Sequence, residues 1–251
     1  MEHLPPTLRD IVDSSEVTPI TVGHSADAVY RLQGDETYYL KIGASLRDEC
    51  ERLQWLDGKL PVPKLVHFEI NDGKHYLLTT AVYGQMLFET GLPIKQCLDI
   101  YAEAAHMWHQ LPIGNCPFQW RIPQQIDDAR HRLNSEQINT DNFDVCYYGK
   151  SALELFADLL NAMPDEEEDL AITHSDFCLP NVLIDPETHT ITGFVDVGQM
   201  GISDRHLDLV LASRSIAYNF GSKYIPYFYE QYGIAENPAK RHFYCILNEF
   251  V

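Results

Sequence analysis

The chain has no apolar run long enough to span a bilayer, and its N-terminus, Met1-Glu2-His3-Leu4-Pro5-Pro6, has no basic segment followed by an apolar one. A cytoplasmic location and the absence of a membrane partner are the resulting expectations. Cysteine occurs six times, at 50, 97, 116, 146, 178 and 245, but never as Cys-x-x-Cys. Such scatter gives neither a disulfide framework nor a zinc site, and the cysteines read mostly as small buried hydrophobes. Positive charge is scarce: 18 Lys and Arg face 37 Asp and Glu, for a formal charge of −19. That balance argues against nucleic acid as a partner and favours a cationic one, with a surface that merely keeps the protein soluble as the alternative. Glycine-rich phosphate loops are missing too. The loop at 23–27 holds one glycine, so it is no G-x-G-x-x-G fingerprint and reads as a hairpin.

What is present, over 251 residues, is enough to build one large domain or two lobes. Runs at 17–22, 28–32 and 37–42 predict an antiparallel meander, and 65–70 with 75–82 add two strands about the turn Asn71-Asp72-Gly73. Between them Leu46, Cys50, Leu53 and either Leu56 or Trp55 recur at helical spacing, closed by Gly58 and Pro61-Val62-Pro63. Past Val82 the composition shifts, with Tyr83-Gly84 as the candidate hinge, so the expected division is 1–83, β-rich, and 84–251, mainly helical. In the second part helices are expected at 94–111, near 124–138, at 150–163 and near 204–217, 223–231 and 237–249. Short strands are expected before 174 and at 182–184 and 191–195. The acid run 165–169 reads as a solvated loop, and His106 and His109 as ordinary helix histidines. The stretch 112–150 has little period and many prolines and glycines.

One stretch carries chemistry: His174-Ser175-Asp176, Asn181 five residues after Asp176, and Asp196 fifteen further on, after a short hairpin. An Asp on a tight loop can accept the hydrogen bond of an incoming hydroxyl, while an Asn and a second Asp supply the hard oxygen ligands that Mg²⁺ prefers. Upstream, Lys41 ends an apolar strand and Glu49 lies on the following helix. A strand lysine held by a helix glutamate is how kinase-like enzymes grip nucleotide phosphates, although a solvated strand-end lysine is the plain alternative.

Taken together, these motifs resemble the aminoglycoside phosphotransferases, in their 3′-phosphotransferase (kanamycin kinase) branch. The resemblance runs through Gly23-His24-Ser25-Ala26-Asp27-Ala28-Val29-Tyr30, Tyr39-Leu40-Lys41, Trp55 to Pro63, the 174–181 loop, Gly193-Phe194-Val195-Asp196-Val197-Gly198, Asp204-Arg205, Ser213-Arg214-Ser215 and Asn248-Glu249-Phe250-Val251. It implies an α+β, bilobal, protein-kinase-like fold with an antiparallel β-sheet N-lobe and a mainly helical C-lobe. It further implies transfer of phosphate from ATP, or from GTP, to the 3′-hydroxyl of a polycationic aminoglycoside, with Mg²⁺.

Residue by residue, the resemblance implies that Lys41 contacts the nucleotide phosphates, Glu49 pairs with it, and Tyr39 stacks on the adenine. Thr80 and Val82 would offer backbone groups to the base. Asp176 would be the catalytic aspartate, and Asn181 and Asp196 the metal ligands. The aminoglycoside would meet Glu249, Val251, Asp141 and Asp144. Two positions depart from the family pattern: Ser175 stands where glycine is usual, and Gln199 where arginine is usual. A kinase of another small hydroxylated molecule, or a nucleotide-binding protein without catalysis, are the competing readings.

Overall fold

The computed structural model describes residues 4–20 and 27–250. They form two compact units: one takes the described residues of Met1–Gln85 together with Leu183–Gly198, the other Met86–Val182 and Gln199–Val251. The first unit thus includes the hairpin 183–198 as well as the N-terminal stretch. The hairpin backbone explains why: Phe194 N donates to Pro61 O at 2.9 Å. A Cβ on Gly193 would lie 2.7 Å from that same carbonyl, so only glycine lets the hairpin seat this closely.

In the first unit, β1 (Glu16–Ile20), β2 (Ala28–Gln33), β3 (Thr37–Gly43), β4 (Leu65–Asn71) and β5 (Lys74–Thr80) form one sheet in the order β1-β2-β3-β5-β4. Every neighbour pair is antiparallel, as the meander predicts. Alternation along β3 puts Leu40 on one face and Tyr39 with Lys41 on the other. The Leu40 face is covered by α1 (Pro6–Asp13), whose Leu8 and Val12 join Leu4, Leu32, Tyr76 and Leu78 in one apolar cluster. This helix went unread in the sequence because eight residues with two buried positions are too short to show a period. The second helix, α2 (Arg47–Leu56), buries Cys50 and Leu53 as predicted and, of the two alternatives, Leu56 rather than Trp55.

The chain then runs through a short strand β6 (Gln85–Met86) to α3 (Ile94–His109). Just before β6, Gly84 has φ +129°, and a Cβ there would come within 2.6 Å of Ile184 O, so the expected hinge residue is obligatorily glycine. The stretch 112–150 contains α4 (Ile122–Asn134), near the expected 124–138, and three single turns, Ile113–Asn115, Thr140–Asn142 and Val145–Tyr147. Helix α5 (Ala152–Asn161) opens with a capping box in which Ser151 and Glu154 satisfy each other's backbone amides.

Two antiparallel strands, β7 (Leu170–Thr173) and β10 (Gly201–Asp204), lie in the second unit. Between them in sequence, β8 (Val182–Ile184) and β9 (Ile191–Phe194) pair as a hairpin. Then follow α6 (Arg205–Asn219), α7 (Ile225–Tyr232), ended by Gly233 at φ +87°, and α8 (Pro238–Leu247), capped by Asn237. The helical core joins Ile126, Leu155, Leu159, Val210, Phe243 and Phe250.

The acid run 165–169 is the exposed loop expected, with only Glu168 half-buried, but it is also tied to its neighbours. Glu168 accepts Ile122 N at 3.0 Å and pairs with Arg121, closing the start of α4. Glu166 accepts from Asn237, Lys240 donates to Glu167 O, and Asp169 pairs with Arg205. Each of the four therefore ties down another element, which charge counting along the sequence does not reveal.

Candidate active site

In the first unit the site is built around Lys41. Its Nζ lies 2.7 Å from Glu49 Oε1 and 2.5 Å from Asp196 Oδ1. The three side chains come from β3, α2 and the turn after β9. Burial disfavours the lysine charge, but the two carboxylates outweigh it and hold the Lys41 pKa above its ordinary value. Burial raises the Glu49 carboxyl, against the pull of Lys41. Asp196 is 54% exposed and sits at φ +56°, a left-handed conformation that turns its carboxylate back toward Lys41 while leaving it open to a ligand. Gly198, two residues on, packs against Glu49, where a Cβ would lie 3.3 Å from the Glu49 Cβ.

The residues expected at the nucleotide base also lie in this unit. Tyr39 shares the sheet face of Lys41 and pairs with Thr79 across β5. At Thr80 the amide donates to Lys64 O at 3.0 Å and the hydroxyl accepts Lys64 N at 3.0 Å, so the Thr80 N–H is already committed within the fold. Val82 packs beside Gly193.

In the second unit the loop after β7 carries Asp176 and Asn181. Asn181 Nδ2 donates both to Asp176 O and to Asp176 Oδ2, each at 2.9 Å, so the amide clamps backbone and carboxylate together. Asn181 is buried, and Asp176 is half-buried. With Nδ2 spent on Asp176, Asn181 keeps its Oδ1 as a hard oxygen donor. Asn181 Oδ1 in this unit and the Asp196 carboxylate in the first are each hard oxygen donors of the kind Mg²⁺ prefers. No group of three or more His, Cys, Asp or Glu side chains able to hold a metal occurs among the described residues.

The loop is held from beneath by a residue that sequence reasoning missed. Asp208, fully buried on α6, accepts His174 N at Oδ2 and Ser175 N at Oδ1, both at 2.8 Å. His109 Nε2 lies 3.1 Å from the same Oδ2. His109 is therefore not an ordinary helix histidine but part of the loop's foundation. The available signal was a lone carboxylate inside the apolar run Leu207-Asp208-Leu209-Val210-Leu211-Ala212. Further anchors are Tyr101 Oη to Phe177 O at 2.9 Å and Leu179 N to Ser215 Oγ at 3.0 Å. Ser175 adopts φ +66°, so the position does require the left-handed conformation that makes glycine usual there. In partial compensation its hydroxyl lies 2.9 Å from Thr173 Oγ1, which bonds on to Gly201 O.

The residues expected at the acceptor fall into two kinds. Glu249, with only 3% of its side chain exposed, accepts Asp144 N at 2.9 Å and Arg214 at 3.1 Å. Asp144 is half-exposed and pairs with Arg214 at 2.7 Å. Glu249 thus spends both oxygens inside the protein, and Asp144 is the carboxylate that can reach a ligand. Burial raises the Glu249 carboxyl against the pull of the Asp144 amide and Arg214. Asp141 is exposed, on a turn closed by Asn139, and Val251 lies outside the described residues.

Comparison with known proteins extends these findings to the whole chain. Residues 16–244 match the phosphotransferase enzyme family. An aminoglycoside 3′-phosphotransferase of Niallia circulans is 34% identical over 257 residues, covering 98% of this chain and 97% of that protein. The crystal structure of a type VIII aminoglycoside-3′-phosphotransferase is 32% identical and superimposes with a TM-score of 0.88 over 98% of this chain and 97% of its own. An aminoglycoside phosphotransferase of Streptomyces rimosus, solved with ADP and streptomycin, gives 26% identity and a TM-score of 0.84 over 97% and 95% of the two chains. The expected protein-kinase-like α+β fold, a five-stranded antiparallel sheet with a mainly helical second unit, is that of these enzymes. On sequence and fold alike, the chain belongs to the phosphotransferase enzyme family.

Proposed function

We propose that this protein transfers the γ-phosphate of ATP to the 3′-hydroxyl of an aminoglycoside, acting in the cytoplasm, where ATP is supplied. The observation that carries the reading is Asp176, half-buried and clamped by Asn181 on amides held by Asp208. A carboxylate fixed in this way can take the hydrogen bond of an incoming hydroxyl and orient its oxygen for attack. Lys41, kept cationic by Glu49 and Asp196, is suited to the nucleotide phosphates. Tyr39, on the same sheet face, would stack on the base, with backbone at 80–82 near its edge. Asn181 and Asp196 would hold Mg²⁺, which when bound neutralises charge on the phosphate oxygens.

The acceptor class rests on the full-length likeness to the Niallia circulans 3′-phosphotransferase and on the chain's formal charge of −19. A polycation bearing several ammonium groups matches such a surface, and half-exposed Asp144 and exposed Asp141 offer carboxylates to it. The ADP in the Streptomyces rimosus structure supports an adenine nucleotide as donor.

The test uses purified protein with Mg²⁺, ATP or GTP, and kanamycin or neomycin. Drug-dependent release of nucleoside diphosphate is expected, with a fall of about 10²–10⁴ in kcat for Asp176→Ala. Absence of turnover with every 3′-hydroxylated drug, or full activity in Asp176→Ala, would overturn the proposal. Preference for an uncharged alcohol would move the acceptor outside the aminoglycosides.

A further inference from the structure

Behind the loop that carries Asp176 runs a line of buried polar contacts that the proposed reaction does not itself use. Asp208 Oδ2 accepts His174 N and lies 3.1 Å from His109 Nε2. On its far side, His109 Nδ1 lies 2.7 Å from Tyr232 Oη. Arg205 Nη1 donates to that hydroxyl at 3.3 Å, and Arg205 pairs with Asp169 near the surface. Four residues from α3, α6 and α7 are thereby threaded in single file to the backbone of the catalytic loop.

The directions of these bonds can be assigned from the two ends. An Arg can only donate, and a carboxylate can only accept. In a neutral His109 ring that bonds Asp208 through Nε2–H, Nδ1 is left as an acceptor. The Tyr232 hydroxyl then accepts from Arg205 and donates to His109 Nδ1, so every contact has one donor and one acceptor. Burial raises the Tyr232 pKa above the usual tyrosine value, although Arg205 opposes it, and the hydroxyl keeps the hydrogen that it gives away. Tyr232 is itself fixed by its stack on His106, with ring centroids 4.4 Å apart. Hydrogen bonds arranged head to tail in a buried setting polarise one another, so the line is stiffer than its separate contacts.

We infer that His109 and Tyr232 are positioning residues for the phosphotransfer reaction, acting through Asp208 to set the backbone of His174 and Ser175 and hence the place of Asp176. The inference rests on the phosphotransferase reading above for its kinetic consequence, and on the fold alone for its structural one. Packing alone would make the Tyr232 hydroxyl dispensable, because a phenylalanine ring fills the same space. Positioning makes it matter, because without the hydroxyl His109 Nδ1 loses its donor and the ring is free to change tautomer or turn.

The experiment compares Tyr232→Phe, His109→Leu and His109→Gln with the wild type in the full chain. For Tyr232→Phe, kcat is expected to fall about five- to tenfold with nucleotide and acceptor KM unchanged, the scale of one buried hydrogen bond felt at the reacting groups. His109→Leu should fall further, and His109→Gln, whose amide can still donate to Asp208, should recover part of the loss. Unchanged kcat in Tyr232→Phe and His109→Leu, with only a lower Tm, would overturn the inference.

A second arm needs no turnover. Nitrogen-15 NMR of the wild type should show His109 as the Nε2–H tautomer, and the His174 and Ser175 amide signals should move in Tyr232→Phe. The opposite tautomer, or loop amides indifferent to Tyr232→Phe, would sink the idea. If the wild type itself turns over no acceptor, the proposed function fails, and this spectroscopic arm still decides the present inference.

Discussion

Lys41 Nζ lies 2.5 Å from Asp196 Oδ1, so the residue expected to grip the phosphates is bonded to a residue expected to grip the metal. Glu49 holds the same ammonium from the other side at 2.7 Å. The lysine is therefore kept in place by two carboxylates of different character, Glu49 enclosed at 13% exposure and Asp196 open at 54%. Only the open one can be drawn off by a ligand. Glu49 is then what keeps the lysine aimed while Asp196 changes partner.

Removing the lysine and removing its inner partner should differ in scale. Lys41→Met loses the cation itself and should lower kcat/KM about 10²–10³-fold, the usual cost of one preorganised electrostatic contact. Glu49→Gln keeps the lysine and its contact with Asp196, so a loss of about tenfold is expected, the equivalent of roughly 1.4 kcal/mol. Steady-state kinetics with saturating acceptor checks both. Equal losses would mean that Asp196 alone cannot hold the ammonium in place.

At Ser175 two opposing effects can be separated by substitution. The left-handed φ of +66° costs a non-glycine residue about 1–2 kcal/mol, while the hydroxyl contact with Thr173 returns about 1 kcal/mol. Ser175→Ala keeps the strain and loses the contact, so it should destabilise by about 1 kcal/mol. Ser175→Gly loses both and should lie within about 1 kcal/mol of the wild type. Urea unfolding of the pair checks the order, and an alanine variant as stable as the glycine one would refute it.

Much of this architecture is legible in the sequence, for reasons that differ by element. The meander is written locally, in alternating strands and a clear Asn71-Asp72-Gly73 turn, and Lys41, Asp176, Asn181 and Asp196 stand at recognisable spacings. What was hidden depends on contacts far apart in the chain. Asp208 bonds residues 34 and 33 positions away, and His109 reaches Asp208 across 99 and Tyr232 across 123. No periodicity records such a pairing. The Glu249 assignment shows the converse. Its place near the C-terminus is readable, but that its charge is consumed by Arg214 follows only from the fold.

That neutralisation leads to a contrast at the acceptor side. Glu249 spends its oxygens on Arg214 and on the Asp144 amide, so Glu249→Gln should act mainly on stability, lowering it by about 1–3 kcal/mol with little change in acceptor KM. Asp144 is half-exposed, so Asp144→Asn should raise acceptor KM up to about fivefold, the scale of a solvated ion pair of about 1 kcal/mol, with little change in Tm. Thermal midpoints set against acceptor KM for the two variants distinguish the roles. The reverse pattern would make Glu249 the direct ligand.

Farther from the chemistry, Lys240 and Asp204 form a pair with side chains 3% and 0% exposed and 2.7 Å apart, joining α8 to the end of β10. Burial raises the Asp204 carboxyl, but His206 and Lys240 outweigh it and hold it below the usual carboxylate value. A depressed carboxyl stabilises the fold above its unfolded pKa of about 3.9, and that contribution is lost as pH falls through the lower folded value. Lys240→Met should destabilise by about 3–5 kcal/mol near neutral pH, because it leaves Asp204 charged in the interior with His206 as its remaining partner. Losing the ammonium raises the Asp204 pKa, so proton uptake relieves the unpaired charge and the penalty shrinks as the solution is acidified. Adding Asp204→Asn keeps an acceptor for His206 N, which caps α6 at 3.0 Å, and should recover part of the loss at neutral pH. Urea unfolding of the single and double variants across a pH series measures this directly. A penalty for Lys240→Met that stays constant with pH would show that the lost ammonium acts through packing and not through Asp204.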